Sequence, residues 1–165
     1  MKNIYLIGMM GSGKSAAAGA AAAISPLRAL DLDAAIVSDA GLPITEIFAQ
    51  YGEEYFRALE SNVLYDVHHL RNLIVATGGG IVLRPANVDM MRESGLVVYL
   101  ERDPNDIIET IDASTRPLLA ANPANVHRIY EERRHLYETA AHVTVHNNAT
   151  IEHVAQCILE LASES

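Results

Sequence analysis

The chain has 165 residues, half of them apolar and a fifth charged, which suits one globular domain with a substantial core and excludes a disordered chain. Lys and Arg number 12 against 21 Asp and Glu, a net charge of -9. That balance argues against a broad nucleic-acid or anionic-membrane surface, yet it allows one small anion held by a local cluster of cations. The single cysteine, Cys157, excludes an intrachain disulfide and fits a reducing, cytoplasmic location; no stretch is long enough to span a membrane. Gly8, Gly11 and Lys14 interrupt the N-terminal apolar run before it can read as a signal peptide.

In chain order, residues 3–7 read as a buried strand. Gly8-Met9-Met10-Gly11-Ser12-Gly13-Lys14-Ser15 then follows the pattern G-x-x-x-x-G-K-[ST], and the alanines of 16–23 predict a helix that can sit close to a sheet. Strand, glycine loop and helix together are the setting of a phosphate-binding loop. Its glycines let successive N–H groups point inward at an anion, and the helix N-terminus adds partial positive charge. Lys14 is placed to reach the outer phosphates, and the Ser15 hydroxyl to ligate Mg²⁺.

Residues 29–33 predict a short strand ending in two acids, Asp31 and Asp33, followed by a helix that stops at Gly41, with Pro43 opening the next. Phe56, Leu59, Val63, Val67 and Leu70 recur at helical spacing and predict one amphipathic helix over 52–69. A strand at 73–76 is closed by Thr77-Gly78-Gly79-Gly80, and a helix starting at Leu83-Arg84-Pro85 runs to about 93. Residues 96–100 form another buried strand, and Asp103-Pro104 an N-cap with proline at the first helical position. Residues 112–123 lack a sustained pattern and predict a long loop, functional or mobile. A charged helix over 125–139, a strand at 143–145 and a final helix over 151–161, capped by Thr150, complete a single domain spanning 1–165.

Alternating strands and helices predict an α/β fold with right-handed crossovers and a parallel sheet covered on both faces. Ligands bind such sheets at the carboxyl ends of the strands, where the glycine loop, the two acids and Gly78 to Gly80 all lie. Two residues apart on a strand, Asp31 and Asp33 would share a face, one for the magnesium shell and the other for a proton or hydrogen bonds from a substrate hydroxyl. Three consecutive glycines cost backbone entropy and imply a backbone or ligand in close approach. Arg57 lies just off the apolar stripe, with Glu60 three residues on to orient it. Arg116, before Pro117 in the long loop, is a cation able to close over phosphates; Arg133 and Arg134 follow on the charged helix. The seven histidines show no third ligand for a zinc site and read as structural or solvated.

The set GMMGSGKS, Asp31-Leu32-Asp33, Phe56-Arg57, Thr77-Gly78-Gly79-Gly80, Arg116-Pro117-Leu118-Leu119 and Glu132-Arg133-Arg134-His135-Leu136-Tyr137 resembles the shikimate kinases, in order and spacing, from Ile4 to about Leu161. The resemblance implies a three-layer α/β/α P-loop kinase fold with a five-stranded parallel sheet and a mobile lid at about 112–123. It implies Mg²⁺-dependent transfer of the ATP γ-phosphoryl group to the 3-hydroxyl of shikimate; a monomer is expected, and the charge balance points to neither nucleic acid nor membrane as a partner. Carried over by position, Gly11, Ser12, Gly13, Lys14, Ser15, Ala16 and Arg116 would bind ATP, with Ser15 and, through water, Asp31 on the metal. Asp33, Arg57, Gly79, Gly80 and Arg133 would bind shikimate within a region that includes about 33–60, and Lys14, Asp33 and Arg116 would serve the chemistry. Three places depart from the family pattern: Ala16 stands where a threonine usually follows the loop serine, Glu109 where an arginine commonly stacks on adenine, and the loop His146-Asn147-Asn148-Ala149-Thr150 has only a histidine where another basic residue is common.

Overall fold

The computed structural model describes residues 2–110 and 124–165. Its elements run β1 (Asn3–Ile7), α1 (Lys14–Ala23), β2 (Arg28–Asp31), α2 (Leu32–Ala40), α3 (Ile44–Tyr51), α4 (Glu53–His68) and β3 (Leu73–Ala76). After a 3₁₀ turn at Ile81–Leu83 come α5 (Pro85–Ser94), β4 (Gly95–Glu101), α6 (Pro104–Thr110), α7 (Ala124–Ala140), β5 (Val143–His146) and α8 (Ile151–Ser163). The strands pair in the order β2-β3-β1-β4-β5, every pair parallel. This is the doubly covered parallel sheet that the alternation predicts. Arg116 and the loop expected at 112–123 lie outside the described residues.

Side-chain alternation along the central strands divides the core in two. Ile4, Leu6, Ile74, Ala76, Val98 and Leu100 face one side, where they meet Ala17, Ala18 and Ala21 of α1 and Val154, Ala155 and Ile158 of α8. Tyr5, Ile7, Val75, Val97 and Tyr99 face the other, packed on apolar residues of the remaining helices, Leu64 of α4 and Ile129 of α7 among them. A strand buried on both faces carries apolar residues without a break, which is why β1 shows no polar alternation. Asn3 is the polar exception: its side chain donates to the Leu70 carbonyl and the Tyr5 hydroxyl and accepts from the Leu73 amide, tying the starts of β1 and β3 together.

Two sequence expectations change. β2 ends at Asp31, and Asp33 belongs to the first turn of α2 instead of the strand. The cause is local: the Asp31 carboxylate accepts from the Ala34 amide at 3.1 Å, so it caps a helix that starts one residue later. The two acids therefore do not share a strand face. On α4 the buried face runs through Phe56, Arg57, Glu60, Val63, Leu64 and Val67, while Leu59 is half-buried and Leu70 exposed. Arg57 and Glu60 are thus inside the stripe, because it tracks 3.6 residues per turn from Phe56 regardless of polarity.

Candidate active site

The glycine loop between β1 and α1 turns on three residues with positive φ, Gly8 at 146°, Gly11 at 79° and Gly13 at 97°. At Gly8 a side chain would also meet the Leu100 carbonyl oxygen at 2.5 Å, so the loop lies against the end of β4. The N-cap of α1 is Gly13, which has no side chain to cap it, and a helix start of this kind favours an anion. Lys14 is buried, its ammonium donating to the carbonyls of Gly8 at 2.6 Å and Met9 at 2.7 Å. The Ser15 hydroxyl donates to Asp31 Oδ2 at 2.5 Å. A cavity of about 390 Å³ opens over this loop; Lys14, Ser15, Ala16, Asp31, Asp33, Thr77, Gly78 and Gly79 line it. Asp33 thus reaches the cavity from a helix rather than from a strand.

Behind Gly78 to Gly80 lies a second, buried cluster. Arg57 is 5 % exposed, Arg133 6 % and Glu60 0 %. Arg57 donates through Nη1 to Glu60 Oε1 at 3.1 Å and pairs through Nε with the partly exposed Glu53 at 3.5 Å. Burial raises the Glu60 pKa above the usual carboxylate value; Arg57 opposes that shift and the charge of Asp33 adds to it. The Tyr137 hydroxyl donates to the Gly79 carbonyl at 2.5 Å, within reach of the Arg133 charge, which opposes the rise in the Tyr137 pKa. Burial pushes Tyr137 up to about 12, so it stays a neutral donor at any physiological pH.

Each of the three glycines has its own neighbour. A methyl on Gly78 would stand 2.8 Å from Glu60 Oε2 and 3.0 Å from Asp33 Oδ1. On Gly79 it would press on Met10, at 3.0 Å from the side chain, and on Gly80 it would overlap the Arg57 guanidinium. The segment is the wall between the two clusters, thin because it has no side chains. Thr77 pins its start, donating through both Oγ1 (2.8 Å) and its amide (3.2 Å) to the Leu6 carbonyl.

The electrostatics on the two sides differ. Two guanidiniums are buried with one fully buried carboxylate, and Arg133 Nη1 has no hydrogen-bond partner among the described residues. A buried, under-satisfied guanidinium is costly unless an anion completes it, and its planar fork suits a carboxylate. In the loop cavity, a hydroxyl and carboxylates supply only hard oxygen donors. Among the described residues no cluster of three or more His, Cys, Asp or Glu could hold a metal.

The structure brings Lys14, Ser15, Asp31, Asp33 and Gly79 into one cavity, and Arg57, Gly80 and Arg133 into the cluster behind it. Arg134 is on the surface, paired with Glu138. Sequence reasoning passed over Tyr137, although it stands one turn after Arg133 on the same face of α7. It also passed over Arg102 and Thr110, which line the cavity where Glu109 does not, and gave Asn147 no role beyond its place in a loop short of basic residues. Arg102 follows directly on a strand's carboxyl end, the position that should have drawn notice.

The family model described as shikimate kinase matches residues 10–163. A shikimate kinase of Clostridium botulinum, strain Eklund 17B, is 39% identical over 155 residues, 93% of this chain and 93% of the relative. One from Caldanaerobacter subterraneus is 36% identical over 162 residues, 96% and 95% of the two chains. Among solved structures, the shikimate kinase of Acinetobacter baumannii in complex with shikimate superposes with a TM-score of 0.95 at 33% identity, covering 99% of this chain and 94% of that one. Among the described residues no helix is long and apolar enough to cross a membrane. With its P-loop, its five-stranded parallel sheet and relatives that match along nearly its whole length, the chain belongs to the shikimate kinase family of kinases.

Proposed function

We propose that this chain phosphorylates shikimate, with the P-loop cavity as the ATP site and the Arg57–Arg133 cluster as the acceptor site. One observation carries the acceptor assignment: the buried, incompletely satisfied guanidiniums behind Gly79 and Gly80. They call for a carboxylate, while Asp33 stands on the cavity side for a hydroxyl of the same molecule. An acceptor bearing both groups spans the thin glycine wall. The identity of that acceptor rests on the family.

The loop amides, the N-terminus of α1 and Lys14 hold the phosphates, with Gly11, Ser12, Gly13, Ser15 and Ala16 as the cradle. Phosphate competes for the Lys14 ammonium with the two loop carbonyls it now bonds. Ser15, directly, and Asp31, through water, are the fitting oxygen donors for Mg²⁺, a metal usually bound by one or two protein ligands together with phosphates and water. When bound, that ion neutralises charge on the β- and γ-phosphoryl oxygens. Arg57 and Arg133 fix the acceptor carboxylate, and Gly79 and Gly80 let backbone approach it. Asp33 takes the proton of the 3-hydroxyl as its oxygen bonds to the γ-phosphorus and the bond to the ADP oxygen breaks. Almost all of the catalytic effect is then positioning and charge stabilisation.

A coupled assay of ADP release tests the proposal. Turnover that requires both shikimate and Mg²⁺ is expected in the purified protein, acting as a monomeric cytoplasmic enzyme of aromatic amino-acid biosynthesis. Turnover with another hydroxy acid, such as gluconate, and none with shikimate would overturn it.

A further inference from the structure

Two side chains from outside the glycine loop hold its carbonyls. Asn147, in the turn between β5 and α8, donates through Nδ2 to the Ser12 carbonyl at 2.7 Å. Arg102, just past the sheet end of β4, donates through Nη1 to the Gly11 carbonyl at 2.7 Å and to Thr110 Oγ1 at 2.9 Å. Asn147 is itself anchored, its amide donating to the Glu101 carbonyl at 2.7 Å. Both arms therefore spring from the carboxyl end of the β4–β5 pair, which is fixed by the core.

We propose that Asn147 and Arg102 are positioning residues for the nucleotide, a brace that sets the P-loop peptides in their anion-binding orientation before the phosphates arrive. The physical basis is the trans peptide, in which C=O and the following N–H point in opposite directions. Drawing the Ser12 carbonyl outward onto Asn147 turns the Gly13 N–H inward, toward the cradle. Drawing the Gly11 carbonyl onto Arg102 fixes the next amide, Ser12 N–H, in its bond to the Met9 carbonyl at 3.1 Å, which closes the turn. Gly13 shows how tightly the first arm is seated: a methyl there would stand 2.6 Å from Asn147 Nδ2. Arg102 adds charge as well as geometry, since it lines the cavity and makes no ion pair with a described residue.

The brace rests on the reading of this cavity as the nucleotide site and is independent of the acceptor, so it is tested without one. ADP affinity of the full chain is measured by calorimetry for the wild type and for Asn147→Ala, Asn147→Asp, Arg102→Ala and Arg102→Lys. Amide hydrogen exchange of residues 11–13 is followed in each protein. The expected result is about tenfold weaker ADP binding in Asn147→Ala, the scale of one lost hydrogen bond to a fixed partner. Asn147→Asp should lose more, because it keeps the shape but removes the donor and adds a negative charge. Arg102→Ala should fall similarly and Arg102→Lys recover part of the loss, with exchange at 11–13 faster wherever affinity falls. In the assay, KM for ATP should rise while KM for shikimate stays unchanged. Variants that fold, bind ADP like the wild type and exchange at the same rate would overturn the brace. Tight ADP binding by the wild type without shikimate turnover would instead remove the proposed function and leave the brace standing.

Discussion

The two halves of the proposed site, one for the phosphate donor and one for the acceptor, are built from different materials. The donor half is backbone: a glycine loop, the amides of one helix start, and carbonyls held by Lys14, Arg102 and Asn147. The acceptor half is side chain: Arg57 and Glu60 from α4, Arg133 and Tyr137 from α7, converging on the glycine wall. A backbone cradle recognises what all nucleoside triphosphates share. A cluster of side chains is where the identity of one acceptor can be written, and substitutions should separate the halves cleanly.

The largest effect is expected in the donor half. Lys14→Met keeps a long side chain that can fill the buried space, so the fold should survive. It removes the cation proposed to neutralise charge in the transition state, and kcat should drop by about 10³-fold or more. Shikimate binding, followed by calorimetry, should stay within a factor of two or so if the halves are independent; a parallel loss of shikimate affinity would break the comparison.

Next comes the acceptor half. Arg133→Ala or Arg57→Ala removes charge-assisted hydrogen bonds, each of roughly 1.5–3 kcal/mol, which translates into KM for shikimate higher by about 10–100-fold with KM for ATP unchanged. Arg57→Ala carries a further cost, because Glu60 would be left buried without its partner. Gly80→Ala sharpens the point without touching a charge. The new methyl overlaps the Arg57 guanidinium, so the expected outcome is a rise of about tenfold in KM for shikimate and a stability loss of ~1–3 kcal/mol by urea unfolding.

The same contrast governs what could be read in the sequence. The donor half occupies one contiguous segment whose spacing is dictated by backbone geometry, so its motif and its place after β1 are visible at once. The sheet was legible for a similar reason, since strands buried on both faces announce themselves as unbroken apolar runs. The acceptor half is assembled from residues as far apart as Arg57 and Arg133, and only the resemblance joined them. Arg57 and Glu60 looked peripheral because a hydrophobic stripe is drawn through apolar residues, whereas the helix buries whatever lies on its inner face. Asp33 was placed on a strand because the capping role of Asp31 depends on where the chain turns. The contacts of Arg102 and Asn147 with the loop are not legible because a single side chain reaching a distant carbonyl leaves no periodicity behind.

Acid pH should separate the halves by a smaller margin. Glu60 has its folded pKa above the usual carboxylate value, chiefly through burial, with Arg57 opposing. Between the unfolded and folded values the native state binds a proton that the unfolded chain does not. Stability contributed by this group is therefore present at low pH and lost as pH rises through the folded value. For function the sign is reversed: acidification neutralises Glu60 while exposed carboxylates are still charged, and Arg57 loses its orienting partner. KM for shikimate should climb on the acid side before KM for ATP does. Glu60→Gln should flatten that limb and leave KM for shikimate raised throughout; an unaltered acid limb in the variant would assign the titration elsewhere.

The smallest expected effect tests whether the acceptor half is a connected chain or a set of neighbours. Tyr137 stacks on Tyr99 with ring centroids 5.2 Å apart, feels the charge of Arg133 and donates to the Gly79 carbonyl. Tyr137→Phe keeps the ring and its packing but deletes the hydroxyl, leaving the buried Gly79 carbonyl without that donor. Unfolding in urea should show a loss of ~1–2 kcal/mol, the usual penalty for a buried polar group left unsatisfied. If the phenol also passes the position of Gly79 on to Arg133, KM for shikimate should rise by roughly two- to fivefold at unchanged kcat, the equivalent of ~0.4–1 kcal/mol. A stability loss with KM unmoved would reduce Tyr137 to a packing residue. A shift in KM for ATP instead would mean that the glycine wall transmits strain to Met10 and the P-loop, and that the two halves are mechanically one.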